Sequence, residues 1–196
     1  MVKEQVILVN ESDDQVGTME KMEAHQQPVL HRAFSVFIFN TKGEMLLQKR
    51  AAHKYHSAGL WTNACCSHPR PGESIQMAAV RRLEEEMGFS TKLEKTFDFI
   101  YKASFGNGLH EFEFDHVFTG NYNEQIMPDP DEVSDFCFME MDAIQASLDS
   151  DPGKYTAWFA IAFPKIADWK KQSDDLSASH SVKKDSSFDS KEKMSS

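Results

Sequence analysis

Residues 73–88 restrict the fold more than any other part of the chain. Apolar side chains recur every four residues from Ile75 to Met87, which places them in one stripe along a helix and predicts that the stripe faces a core. Pro71-Gly72-Glu73 indicates the start of the helix, and Gly88 indicates its end because glycine readily adopts the left-handed conformation found there. The chain is therefore expected to build its core against one central helix.

Segments with strand patterning lie on both sides of this helix. Residues 33–50 contain an apolar run, the turn NTKG and a second apolar run, which together predict a hairpin. Further strands are predicted at about 92–101 and 110–120, joined by a turn at 106–108, and near 133–139. The pattern predicts the α/β class, an α+β arrangement in which mostly antiparallel strands flank a central helix.

The last quarter of the chain changes character. Residues 154–170 carry closely spaced aromatic and aliphatic side chains and predict a closing helix, which Pro164 kinks or interrupts. From about residue 172, serine, lysine and aspartate replace the large apolar residues, which predicts disorder. With 196 residues and no internal repeat, the sequence predicts one domain, residues 1–171, followed by a polar tail, residues 172–196.

Composition argues against several classes of protein. A formal net charge of -10 disfavours nucleic-acid binding, which normally requires a basic surface. No apolar run approaches the roughly 18 residues of a membrane helix, and the N-terminus lacks the pattern of a signal peptide. Three cysteines, an odd number, are typical of free thiols in a reducing compartment. We therefore expect a cytoplasmic protein that binds neither nucleic acid nor a membrane; composition leaves open whether it is a monomer or a homodimer.

Residues 110–116, HEFEFDH, indicate a strand with two different faces. Glu111, Glu113 and Asp115 share one face, and two phenylalanines share the other. Carboxylates two residues apart in a strand lie roughly 6–7 Å from each other, so they repel unless water or a cation lies between them. The pattern leaves two interpretations open, a solvated polar face over a phenylalanine core or a cation site.

Three histidines supply candidate ligands for such a cation. His25, His31 and His68 each lie next to a predicted strand start or turn, where side chains from different segments can converge. Each alone is typical of a surface histidine. Together with two carboxylates they would form a five-ligand site of nitrogen and oxygen atoms, suited to Zn²⁺, Mn²⁺ or Mg²⁺. Their spacing does not prove that they meet.

The charged faces of the central helix also allow two interpretations. Arg81 with Glu85, and Arg82 with Glu86, have i,i+4 spacing, which is typical of a salt-bridged, exposed helix. However, three consecutive glutamates near a helix C-terminus oppose the helix macrodipole. That arrangement is more easily understood if some of them bind a cation.

From Ser67 to Phe89 the chain resembles a Nudix box, in which glycine and glutamate precede the pattern Arg-Glu-aliphatic-any-Glu-Glu-any-Gly-apolar. The positions that match are Glu73, Arg81, Leu83, Glu85, Glu86, Gly88 and Phe89. Ser67 replaces the first glycine, and Arg82 replaces the glutamate after the arginine. Nudix hydrolases use that glutamate cluster to hold the metals that activate water. An arginine there is similar to type I isopentenyl-diphosphate isomerases, which resemble Nudix proteins with a different reaction.

The resemblance to this isomerase family extends from Gln5 to about Lys170. It includes residues 30–39, the stretch GLWTNACCSHP, the strand HEFEFDHVF and the aromatic closing helix. It implies a Nudix-type α/β/α sandwich of mixed, mostly antiparallel strands. It also implies interconversion of isopentenyl and dimethylallyl diphosphate in isoprenoid biosynthesis. A Nudix hydrolase of a nucleoside diphosphate derivative and a non-catalytic binding module are the alternatives.

The same resemblance implies a role for individual residues. Cys66, rather than its neighbour Cys65, and Glu113 would carry out the two proton transfers on opposite faces of the allylic unit, with the assistance of Tyr101. The ligands of one divalent metal, Mn²⁺, Zn²⁺ or Mg²⁺, would be His25, His31, His68, Glu111 and Glu113. Glu86 would help to hold the Mg²⁺ that accompanies the diphosphate. The implied substrate contacts are Lys21, Arg50, Lys54 and Arg82 with the diphosphate, and Trp158 with the hydrocarbon.

Overall fold

A computed structural model of the chain describes residues 3–54, 56–105 and 108–188. The predicted turn at 106–108 and the last eight residues of the predicted tail lie largely or wholly outside the described residues. The chain divides into two compact units, Met1–Phe159 and Ala160–Ser196. Every strand described below belongs to the first unit. None of the described helices is both long and apolar enough to cross a membrane.

Strands outnumber helices along the described part of the chain. The elements are β1 (Gln5–Val9), β2 (Gln15–Glu20), α1 (Lys21–Gln26), β3 (His31–Phe39), β4 (Met45–Arg50), β5 (Trp61–Asn63), β6 (Cys65–Ser67), α2 (Ile75–Met87), β7 (Glu94–Ser104), β8 (His110–Asn121), β9 (Val133–Met139), α3 (Met141–Ser150) and α4 (Ala157–Phe188). The predicted hairpin, later strands, central helix and closing helix are confirmed. The early elements β1, β2 and α1, the two short strands β5 and β6, and α3 were not predicted.

The strands form one mixed sheet. Its main order is β2-β1-β3-β4-β5, with β6 and β8 paired to β3, β7 paired to β8 and β9 paired to β4. All pairs are antiparallel except β3 with β8, which run parallel over nine residue pairs. Residues 34–36 of β3 pair with both β6 and β8, so those two strands lie along opposite edges of β3. This arrangement determines where the site lies.

The central helix α2 is held by its caps and by its apolar stripe. Ser74 caps the N-terminus by accepting a hydrogen bond from the Met77 amide at 3.3 Å, so the helix begins two residues after Glu73. Leu83 is fully buried, which is worth about 1.5–3 kcal/mol relative to exposure. Gly88 ends the helix with φ 73°, and a Cβ there would lie 2.0 Å from the Met127 carbonyl oxygen. A glycine is therefore required at that position.

The closing helix α4 begins at Ala157, three residues later than predicted. Thr156 precedes it, and its hydroxyl accepts a hydrogen bond from the Phe159 amide at 3.4 Å, as an N-cap residue does. Pro164 lies within the helix and does not end it, so the alternative of a break there is wrong. The helix continues to Phe188, into the segment whose composition predicted disorder. Lys170 and Asp174 form an i,i+4 ion pair at 2.6 Å, which favours helix at that boundary.

Candidate active site

The candidate site is a cavity of about 140 Å³ above the strands that pair with β3. The strand register brings its side chains together: His31 is paired with Glu113, Tyr101 with Glu113, and Ser35 with Cys66. The residues that line the cavity are Lys21, His25, Arg50, Lys54, His56, Cys66, Ser67, His68, Arg82, Glu86, Tyr101, Glu111, Glu113, Glu132 and Trp158.

A buried group of four side chains forms a candidate metal site at one end of the cavity. One ligand atom from each of His25, His31, His68 and Glu113 lies within 4.8 Å of all the others. The four residues come from α1, β3, β8 and the segment after β6, and each is at most 8% exposed. Convergence of the three histidines, which their spacing left unproved, is therefore present in the fold.

The hydrogen bonds within this group leave lone pairs directed at a common point. His31 Nδ1 lies 2.7 Å from the Val29 carbonyl oxygen, which can only accept, so the proton of a neutral ring is on Nδ1 and Nε2 carries a lone pair. That Nε2 is 3.2 Å from His68 Nε2 and 3.5 Å from Glu113 Oε1. Within the described chain, the buried His25 Nε2 has no hydrogen-bond partner. A bound cation would satisfy all of these atoms, so the residues fit a metal.

Burial and mutual contacts shift the titration of this group. Burial, with the neighbouring His68, lowers the pKa of His25 to about 3. Burial opposes ionisation of Glu113, but its close contacts with His31 and His68 prevail and hold its pKa well below the ordinary value. A neutral His25 and an ionised Glu113 are the protonation states that a metal requires of these two ligands.

Tyr101 connects Glu113 to Glu111. Its hydroxyl lies 2.7 Å from Glu113 Oε2 and 2.9 Å from Glu111 Oε2, yet it carries only one proton. Burial, together with the charge of Glu113, raises the pKa of Glu111 well above its ordinary value. The single hydroxyl proton of Tyr101 can therefore serve only one of the two carboxyl groups at a time, and Glu113 is the nearer of the two. Glu111 does not belong to the group of four residues whose ligand atoms all lie within 4.8 Å of one another.

Asp115 completes the polar face of β8. Glu111, Glu113 and Asp115 are 6%, 6% and 2% exposed, so the interpretation of this face as solvated is wrong. Glu111 and Glu113 line the cavity, whereas Asp115 accepts a hydrogen bond from the buried Ser35 hydroxyl at 2.7 Å. Burial and the charge of Glu113 raise the pKa of Asp115 to about 8.

Cys66 lies on β6 in a polar environment. Its thiol donates a hydrogen bond to Asn63 Oδ1 at 3.0 Å and lies 3.4 Å from Ser35 Oγ, which donates to Asp115 at 2.7 Å. Burial, with the carboxyl of Asp115, raises the pKa of the Cys66 thiol well above its ordinary value. The neighbouring Cys65 is fully buried among core side chains, does not line the cavity and lies 3.5 Å from Glu86 Oε1.

Basic side chains also line the cavity. Arg82 Nη2 lies 2.5 Å from Glu86 Oε1 and 3.6 Å from Glu132 Oε1, and Lys54 is paired with Glu132. Lys21 pairs with Glu4 at 3.2 Å. These cations supply local positive charge in a chain of net charge -10, as an anionic ligand requires.

An aromatic wall closes the cavity beside these cations. Trp158 is only 5% exposed, yet it lines the cavity. Its ring centroid lies 5.3 Å from the guanidinium carbon of Arg50, and it forms a T-shaped pair with the His56 ring, with 5.7 Å between the ring centroids. His56 in turn stacks on Phe105 at 5.1 Å. Charged and apolar surfaces thus meet at Arg50 and Trp158, the combination needed for a ligand with an anionic head and a hydrocarbon end.

Comparison with known proteins identifies the family. The NUDIX domain family matches residues 29–159. Isopentenyl-diphosphate Delta-isomerase 2 of Photorhabdus laumondii is 46% identical over 171 residues, which cover 85% of this chain and 97% of the relative. A protein of the same name from Aromatoleum aromaticum is 47% identical over 165 residues, covering 84% and 87%. The chain belongs to the isopentenyl-diphosphate Delta-isomerase family.

Solved structures extend the likeness to the fold. A protein from Deinococcus radiodurans superimposes with a TM-score of 0.69 at 18% identity and covers 83% of this chain and 98% of its own. A MutT protein from Methanosarcina mazei superimposes with a TM-score of 0.58 at 18% identity, covering 74% and 95%. At these identities the likeness concerns the fold alone, and it confirms the predicted Nudix-type architecture.

The structure of this isomerase-family chain brings all thirteen sequence-predicted site residues to one place. Twelve of them line the cavity, and His31 lies directly behind it in the group of four. The residues that sequence reasoning did not assign are Thr62, Asn63, His56, Ser67 and Glu132. Thr62 and Asn63 were visible as polar residues in an otherwise apolar stretch, GLWTNACC, and buried polar residues need partners.

Proposed function

We propose that this chain interconverts isopentenyl diphosphate and dimethylallyl diphosphate by adding a proton to one carbon of the allylic unit and removing a proton from another. The observation that carries the proposal is the position of Cys66 and Glu113. They reach one cavity from β6 and β8, which lie along opposite edges of β3. Two proton-transfer groups that approach from different sides suit a reaction in which the proton added and the proton removed are on opposite faces.

The proposed proton transfers balance within the substrate. One of the pair Cys66 and Glu113 delivers a proton to the terminal alkene carbon, which leaves a tertiary carbocation-like centre. The other removes a proton from the carbon next to the diphosphate-bearing carbon, and the new double bond forms there. Tyr101, which donates a hydrogen bond to Glu113 at 2.7 Å, assists proton transfer at that carboxylate.

The aromatic wall would protect the carbocation-like centre from water. The cationic centre would be captured by water in an open site. Trp158 and Tyr101 are 5% and 8% exposed, so they exclude water from the side on which they lie. The indole ring of Trp158 offers a π-face to the cation, a contact worth about 2 kcal/mol when it is desolvated.

Binding of the diphosphate is assigned to the basic side of the cavity. Lys21, Arg50, Lys54 and Arg82 would contact its oxygens, and Glu86 would help to hold the accompanying Mg²⁺. A divalent metal held by His25, His31, His68 and Glu113, with Glu111 nearby, would supply positive charge that supports the ionised carboxylate of Glu113. The nitrogen-rich donor set favours Zn²⁺ or Mn²⁺ over Mg²⁺. The free thiols suit the reducing cytoplasm that the sequence predicts.

Hydrolysis of a nucleoside diphosphate derivative is less well supported. Arg82 stands where Nudix hydrolases have a metal-binding glutamate, and it forms an ion pair with Glu86. The carboxylates available to bind metal on α2 are correspondingly fewer. The cavity is also lined by the Cys66 thiol and by two of the three convergent histidines, His25 and His68, which match the isomerase family.

The deciding experiment follows isopentenyl diphosphate and Mg²⁺ with the purified protein in D₂O by proton and phosphorus NMR. The expected result is dimethylallyl diphosphate that carries deuterium and retains an intact diphosphate. Release of phosphate or monophosphate would instead support a Nudix hydrolase. An unchanged substrate after addition of Zn²⁺ or Mn²⁺ would support a binding module.

A further inference from the structure

The hydroxyl of Thr62 forms three hydrogen bonds with neighbouring side chains. Thr62 lies on β5 and is 1% exposed. Its oxygen accepts hydrogen bonds from Trp158 Nε1 at 2.9 Å and from the Thr156 hydroxyl at 3.1 Å. Its own proton goes to Asn63 Oδ1 at 2.9 Å. A threonine hydroxyl has one proton and two acceptor lone pairs, so its capacity is fully used.

Asn63 is held in one orientation by the backbone. Its amide nitrogen donates to the carbonyl oxygens of Val36 at 3.0 Å and Cys65 at 2.9 Å. Carbonyl oxygens only accept, so the amide cannot be turned around. Asn63 Oδ1 therefore faces the other way, where it accepts from Thr62 and from the Cys66 thiol at 3.0 Å.

These contacts form one continuous chain from an indole ring to a thiol. The chain passes from Trp158 through Thr62 and Asn63 to Cys66, and every step is between 2.9 and 3.0 Å. The direction of each donor is determined, because the indole N–H can only donate and Asn63 Oδ1 can only accept. A fully satisfied buried network of this kind has a single arrangement and resists displacement of its members.

We propose that Thr62 and Asn63 are positioning residues that hold the Trp158 ring and the Cys66 thiol in one fixed relation. The inference rests on the proposed isomerisation, in which Trp158 covers the hydrocarbon and Cys66 exchanges a proton with it. A proton donor or acceptor must meet one particular carbon of a flexible five-carbon chain. If the apolar wall and the thiol move independently, that carbon is no longer held against the thiol.

A purely structural role is the competing explanation. The Thr156 hydroxyl bonds to Thr62, and the Thr156 amide donates to the Trp61 carbonyl at 3.0 Å, so the same contacts also attach the start of α4 to β5. Loss of that attachment alone would lower stability without changing turnover by each folded molecule. The two explanations therefore differ in kcat per folded molecule.

The test compares three variants of the full-length, metal-loaded protein. Thr62→Val keeps the shape of the side chain but removes the hydroxyl, whereas Thr62→Ser keeps the hydroxyl. Thr119→Val is the matched control. The Thr119 hydroxyl forms a hydrogen bond with the Thr96 hydroxyl at 3.0 Å, between β7 and β8, and Thr119 does not line the cavity. Each is assayed for kcat and KM with isopentenyl diphosphate, with the folded fraction measured by thermal unfolding.

A spectroscopic measurement reports on the hydrogen bond itself. The indole N–H resonance of Trp158, assigned through Trp158→Phe in nitrogen-15-labelled protein, is followed by hydrogen exchange. Exchange at this N–H should be faster in Thr62→Val than in the wild type and near the wild-type rate in Thr62→Ser. Thr119→Val should leave it unchanged.

We expect Thr62→Val to lower kcat by about 10- to 100-fold with KM within about twofold of the wild type, since the diphosphate contacts are untouched. Thr62→Ser should restore most of kcat, and Thr119→Val should keep it. The inference would be overturned if Thr62→Val had the same kcat as the wild type, or if Thr62→Ser lost as much kcat as Thr62→Val. Turnover by the wild-type protein would still support the proposed function in either case. A wild-type protein that does not isomerise the substrate would overturn both.

Discussion

Arg82 Nη2 lies 2.5 Å from Glu86 Oε1 across one turn of α2. The carboxylate of Glu86 is buried and also accepts a hydrogen bond from Gln48 at 2.9 Å. Burial disfavours the charge of Arg82, but Glu86 and the neighbouring carboxylates prevail and raise its pKa. A permanent cation is thus held at the cavity wall, where Nudix hydrolases have another carboxylate.

Arg82→Gln should weaken binding of the diphosphate. The substitution removes a charged hydrogen-bond donor worth about 1.5–3 kcal/mol, so KM for isopentenyl diphosphate should rise about 10- to 100-fold. Steady-state kinetics provide the measurement. Arg81→Gln is the matched control, because Arg81 pairs with Glu73 at 2.7 Å and does not line the cavity. An equal rise in KM for both variants would contradict the assignment of Arg82.

The two adjacent cysteines should differ sharply when each is replaced by alanine. Cys66→Ala should lower turnover by about 10²- to 10⁴-fold, the usual contribution of a proton-transfer group, while the protein remains folded. Cys65→Ala should retain substantial activity, because Cys65 is buried in the core cluster and does not line the cavity. Turnover is compared after thermal unfolding has established the folded fraction. The reverse order of activities would exclude Cys66 as the reactive thiol.

Glu113→Gln should impair catalysis and metal binding together. The amide has the same shape but cannot exchange the proton, and it is a poorer metal ligand than the carboxylate that faces His31 and His68. Turnover should fall by about 10²- to 10⁴-fold, with lower metal content by elemental analysis. Normal turnover would remove Glu113 from the mechanism.

Removal of the metal should lower both activity and stability. A ligand that binds only the folded state at 100 times its dissociation constant stabilises it by about 2.7 kcal/mol, so treatment with a chelator should lower the melting temperature. Addition of Zn²⁺ or Mn²⁺ should restore the melting temperature, and together with Mg²⁺ it should restore turnover. The prediction fails if the chelated and untreated proteins melt at the same temperature and turn over substrate equally.

His56 should make the protein less stable as the pH falls. Burial, and secondarily the positive charge of Arg50, lowers its pKa from 6.5 to about 4 in the folded protein. Between those values the unfolded state binds the proton and the folded state does not, so stability falls as pH decreases through that window. The free energy of unfolding, measured with denaturant, should therefore fall more for the wild type than for His56→Gln as the pH decreases from 7 to 4.5. A difference that is constant with pH would contradict the lowered pKa.

The amino-acid sequence alone determined the local elements and the chemical types at the site. Four-residue apolar spacing identified α2, the alternation in HEFEFDH assigned its carboxylates to one face of β8, and i,i+4 spacing identified the pairs Arg81–Glu85 and Arg82–Glu86. These features depend on contacts within a few residues, so short-range geometry is sufficient to derive them. Resemblance to a known family then supplied the site residues that spacing could not join.

Only the tertiary structure decided which face of β8 is buried and how the cavity is assembled. Parallel pairing of β3 with β8 sets His31 beside Glu113, residues 82 positions apart in the chain, and no local pattern specifies that register. The Thr62 hydroxyl receives Trp158 from 96 residues away. Such contacts depend on the packing of the whole sheet, because burial and the need to satisfy every buried polar group are properties of the folded chain and not of any segment.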